Sequence, residues 1–82
     1  MKSQNEPVVT KLLEDKKEKI ASAIQTARVQ KEWTQEELGE RVGMSRNTIA
    51  RIENKRFFPS MESFLLILDA LDINLILGDE KV

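Results

Sequence analysis

The run from Trp33 to Ser45 leaves the backbone little choice. Thr34 followed by Glu37 is a capping box, in which hydroxyl and carboxylate each satisfy a backbone N–H that a helix start leaves orphaned, and Trp33 and Leu38 occupy the positions of a hydrophobic staple. A helix therefore starts at Thr34 or Gln35. Gly43 stands where that helix needs a left-handed terminating residue, and Ser45 is a good cap for the next helix. The chain must pass here from helix through a short turn to helix. Trp33 reads as the residue that closes the corner between helices rather than one that stacks on a ligand.

The flanking segments follow from periodicity. From Val8 to Trp33 there is no Gly or Pro, and Val9, Leu13, Ile20, Ile24 and Ala27 keep to one side of a helix. The polar run Glu14 to Lys19 weakens the stripe, so one long helix and a short one from Pro7 to Leu13 followed by another both remain open. Between Arg46 and Asn54, Ile49, Ala50 and Ile52 turn toward a core and leave Arg46, Asn47 and Arg51 outside, with Ala50 small enough to share that surface. Pro59 excludes helix at its neighbour, and Ser60 caps a further helix to about Leu71 that is too apolar for one buried face. The aliphatic run Ile73 to Leu77, bounded by Asp72 and Gly78, reads as a buried strand. Alone it would leave its backbone unpaired, and the simplest cure is the same strand of a second copy. Ile73, Leu75, Ile76 and Leu77 are thus the expected dimer interface.

Composition narrows the chemistry. The chain has 82 residues, 40% hydrophobic and 33% charged, which suits one small helix-rich domain supported by association. With no His and no Cys it lacks Ser/His/Asp and Cys/His nucleophile systems, an ordinary zinc site and any disulfide. Glu36, Glu37 and Glu40 are spaced along a solvated helix and read as solubilising. No catalytic residue, metal or cofactor is expected, and the chain is not read as an enzyme. No stretch approaches the roughly 18 apolar residues of a membrane span, and Met1 to Pro7 is polar, so a cytoplasmic protein without membrane association is expected. Charge is nearly balanced overall, but residues 1–27 sum to about +1, residues 28–58 to about +2 and residues 59–82 to about −4. From Met44 to Phe58, Arg46, Arg51, Lys55 and Arg56 face only one anion, Glu53. That is the pattern of a surface meeting a polyanion.

The stretch TQEELGERVGMSRNTIARIENK, Thr34 to Lys55, resembles the DNA-binding helix-turn-helix of the phage-repressor family, the Xre or Cro/CI type. The likeness covers about Ile20 to Leu71, with Leu38, Val42, Ile49 and Ile52 at core positions, Gly43 at the turn and Gln35 opening the first helix. It implies an all-α, lambda-repressor-like bundle of four to five helices, here with a short C-terminal β-strand pairing across a dimer. It assigns base reading to Arg46, Asn47 and Arg51. Arg can donate twice to guanine and Asn can pair with adenine, while Ala50 could pack on a thymine methyl. Phosphate contacts fall to Gln35, Ser45, Thr48, Asn54, Lys55 and Arg56. Lys55 departs from the family's usual glycine, and Gly39 from its usual alanine, a change that costs about 1 kcal/mol of helix propensity while permitting the same close approach. An ion pair between Arg28 and Glu53 is also implied.

Three segments result: an N-terminal helical extension over residues 1–15, a helix-turn-helix domain over 16–72, and a strand and tail for dimerisation over 73–82. The expected function is that of a homodimeric transcriptional repressor binding double-stranded DNA at a palindromic operator. The helix leading into a short aliphatic strand and tail also looks like the small antitoxin regulators of the Hip type. That resemblance implies an alternative, an interaction module that neutralises a kinase-like toxin partner and regulates its own operon.

Overall fold

A computed structural model describes residues 6–82. Four helices come first: α1 (Glu6–Gln30), α2 (Gln35–Val42), α3 (Arg46–Glu53) and α4 (Met61–Ala70). Two short strands follow, β1 (Ile76–Leu77) and β2 (Glu80–Lys81). The architecture is the helical bundle expected, with a two-stranded sheet at its C-terminal end.

Caps set the helix starts. The Thr34 N–H donates to Glu37 Oε1 at 2.8 Å and the Glu37 N–H donates back to Thr34 Oγ1 at 3.0 Å, closing the capping box of α2. Ser45 and Ser60 accept from the N–H groups of Thr48 and Ser63 at the heads of α3 and α4. The helix ends share one device. Glu32, Gly43, Lys55 and Asp72 follow the four helices with φ of 61°, 75°, 65° and 59°. After α3 the Lys55 N–H donates to Ile52 O at 3.1 Å and the Arg56 N–H to Arg51 O at 2.8 Å, the paired bonds of a Schellman closure. The same pairs recur after α1, from Glu32 to Val29 and Trp33 to Arg28, and after α4, from Asp72 to Asp69 and Ile73 to Leu68.

The core is small and aliphatic. Ile24, Leu38, Ile49 and Ile67, one from each helix, are fully buried, with Ile52 and Leu71 beside them and Trp33, Val42, Met44 and Ile73 packed at the edge. Each such aliphatic side chain contributes about 1.5–3 kcal/mol on burial. α1 is a single helix through Asp15 and Lys16, but its surroundings change along its length: residues 9–16 are exposed, and burial begins at Lys17. The stripe that carries Ile20 and Ile24 into the core thus continues as Val9 and Leu13 beyond it. The part of the N-terminal extension before residue 6 lies outside the described residues.

The C-terminal strand is shorter than expected and has a partner within the chain. Only Ile76 and Leu77 are strand, paired antiparallel within the chain, with Ile76 opposite Lys81 and Leu77 opposite Glu80. The Val82 N–H donates to Leu75 O at 2.7 Å. Ile73 cannot join because its N–H closes the end of α4 on Leu68 O, and the turn at Gly78 lets the chain satisfy its own backbone. One edge of β1 remains open. Ile76 and Leu77 are exposed, as are Met61 and Leu66 on α4, so the second side of that helix is uncovered in a single copy.

Candidate nucleic-acid interface

An eight-residue helix has too few hydrogen bonds to persist alone. α3 persists because Ile49 and Ile52 are buried and because Glu53, at its last position, is tied to α1. Arg28 Nε donates to Glu53 Oε2 at 2.7 Å and Arg28 Nη2 to Oε1 at 3.1 Å, while Nη1 donates to the Trp33 carbonyl at 2.6 Å. Gln35 Nε2 adds a bond to Glu53 Oε1 at 3.0 Å. The Glu53 side chain is 2% exposed and Arg28 11%, so this fork joins three helices out of water. The Gln35 side chain therefore points inward, leaving its backbone N–H at the head of α2 as the group nearest its expected phosphate role.

Close approach of α2 to the turn depends on Gly39. A Cβ there would run into the Met44 carbonyl oxygen, and would lie 3.3 Å from Met44 C and 3.4 Å from Ser45 C. The expectation that glycine and alanine permit the same approach is corrected on this point: backbone, not a yielding side chain, fills the space. The Gly39 carbonyl also accepts from the N–H groups of Gly43 and Met44, which closes the turn.

With its buried side held this way, α3 turns Arg46, Asn47 and Arg51 outward, all exposed, with Ala50 half-buried between them. Among the described residues no carboxylate lies within 4 Å of Arg46, Arg51 or Arg56. Ser45 and Thr48 sit at the head of α3, their hydroxyls 3.0 Å apart, and Asn54, Lys55 and Arg56 are exposed at its other end. Lys55 Nζ is 3.8 Å from Glu18 Oε2 on α1. Ile73, Leu75, Ile76 and Leu77 are not brought to this face; Ile73 and Leu75 are half-buried at the C-terminal end, beside the exposed Ile76 and Leu77.

Aromatic contacts of two arginines were not among the sequence expectations. The Arg41 guanidinium lies 4.0 Å from the Trp33 ring, and that of Arg51 lies 5.8 Å from the Phe57 ring. The pair Phe57 and Phe58 directly after Lys55 and Arg56 was the available signal, since aromatics in a loop beside cations have little reason to be there for burial alone.

A short helix clamped by its apolar side, offering two guanidiniums and a carboxamide without local neutralisation, is the reading element of a DNA-binding helix-turn-helix protein. Residues 24–77 match the family described as Helix-turn-helix, and the chain belongs to that family, of the Cro/CI-like kind, whose members are DNA-binding regulators. It is also similar to two proteins named Antitoxin HipB. The one from Escherichia coli O6:H1 strain CFT073 is 36% identical over 62 residues, covering 76% of this chain and 66% of that protein. The one from Escherichia coli K12 is 34% identical over 62 residues, covering 76% and 70%. The chain thus spans about two thirds of these relatives' length. No solved structure gives a significant match. No helix among the described residues is long and apolar enough to cross a membrane.

Proposed function

We propose that the chain is a homodimeric repressor that occupies a palindromic operator and blocks its promoter sterically. The observation that carries this reading is the un-neutralised Arg46, Asn47 and Arg51 face on a helix fixed by the Arg28–Glu53 fork. Arg46, Asn47 and Arg51 read bases, with Ala50 on a thymine methyl, while Ser45, Thr48, Asn54, Lys55, Arg56 and the head of α2 at Gln35 hold phosphates. Dimerisation uses the open edge of β1 with Ile76 and Leu77, backed by the uncovered side of α4. Two-fold symmetry then sets the α3 helices roughly 34–36 Å apart, one turn of B-DNA. The test is selection of fragmented genomic DNA on the purified chain beside an Arg46→Ala, Arg51→Ala variant. Enrichment of a palindrome by the first and not the second supports the reading; equal behaviour of the two refutes it.

A second reading rests on the likeness to the two Antitoxin HipB proteins: the chain also binds and neutralises a toxin encoded beside it and represses their shared operon. The acidic, aliphatic C-terminal third is the surface that this reading assigns to the toxin. Co-expression with the neighbouring gene product decides it, because a true pair elutes as one stoichiometric complex and relieves toxicity.

A further inference from the structure

The loop after α3 is built more firmly than a connection requires. Lys55 adopts φ 65°, a strained region for a residue with a side chain, and this reversal lets Arg56 donate back to Arg51 O at 2.8 Å. From the other side Phe58 packs at a tilt on Phe64 of α4, ring centroids 5.5 Å apart, and Pro59 is buried. Phe57 and Phe58 are equally exposed, at 44%, but Phe57 has its ring centroid 5.8 Å from the Arg51 guanidinium.

We infer that Phe57 is a positioning residue for base recognition: its ring holds the Arg51 guanidinium in a small set of orientations before DNA arrives. The inference rests on the assignment of Arg51 to base reading. A free Arg side chain loses rotamer freedom when it forms its paired hydrogen bonds to guanine, and a guanidinium already within cation–π range of an aromatic ring loses less. Phosphate contacts gain nothing from this, since they tolerate many geometries. Phe57 therefore favours operator over random DNA without strengthening both.

The test uses the operator obtained by genomic selection and a random-sequence duplex of equal length, with affinities measured for the full chain. Phe57→Leu is expected to lower operator affinity about two- to five-fold while leaving random-duplex affinity unchanged. Phe57→Tyr keeps the aromatic face and is expected to match the parent. In an Arg51→Ala background Phe57→Leu is expected to have no further effect. Melting curves of each variant check the fold, which an exposed ring should not disturb. Equal losses on operator and random DNA, the same loss without Arg51, or no loss at all would each overturn the assignment. A parent chain with no sequence preference would overturn both this inference and the reading beneath it, and the parent control alone reveals that case.

Discussion

Glu53 ends the recognition helix with a carboxylate that is almost wholly out of water, and its three acceptor bonds come from Arg28 and Gln35. Removing Arg28 leaves that charge with one neutral donor. Arg28→Ala is expected to destabilise the fold by about 3–5 kcal/mol in a denaturant titration. The paired replacement Arg28→Met with Glu53→Leu should recover most of that loss, because no charge then remains buried. Lys55 poses the opposite case. Lys55→Gly relieves a left-handed conformation that costs an L-residue roughly 1–2 kcal/mol, against the greater freedom of glycine in the unfolded chain, so a net gain of about 0.5–1 kcal/mol in stability is expected. The exposed Glu18 contact at 3.8 Å is too weak to reverse this. With Lys55 on a phosphate, as proposed, the same variant should bind DNA less well, with a salt slope shallower by about 1. A melting point and an affinity that move in opposite directions are the signature to look for.

At the scale of elements, the crossing of α2 with the turn decides whether the helix-turn-helix forms as seen. Alanine at position 39 gains about 1 kcal/mol of helix propensity but drives a methyl into the Met44 carbonyl, and the overpacking dominates because backbone must move. Gly39→Ala is expected to lower the melting temperature and to weaken operator binding through the displaced head of α3. The helices, the capping box and the Gly43 turn were all legible in the sequence, because each rests on residue types with local effects. The other three terminators were not. Glu32 and Lys55 carry no left-handed signal of their own and Asp72 only a weak one, and all three adopt it because the Schellman bonds and tertiary packing outweigh the local preference. The C-terminal strand failed in a similar way: aliphatic content announced it, but its start depended on Ile73 closing α4, which is not written in Ile73. The outward placement of Arg46, Asn47 and Arg51 was legible from helical phase, whereas the inward turn of Gln35 and the approach of Phe57 to Arg51 depend on tertiary packing.

For the whole molecule, the proposed dimer is tested on the apolar residues left exposed in a single copy. Ile76 and Leu77 contribute nothing to the core of one chain, so Ile76→Lys with Leu77→Lys should leave the helical circular dichroism unchanged while reducing the sedimenting mass to one copy. Operator affinity should then fall roughly a hundredfold, as the two half-sites lose their linkage. Helix α1 leads to a different kind of asymmetry. Its later turns cannot open without exposing Ile24 and breaking the Arg28 fork, but its residues 9–16 are exposed among the described residues. Amide protons in one unbroken helix should therefore exchange with deuterium on two separate clocks, the early turns at once and the later turns only when the entire domain unfolds.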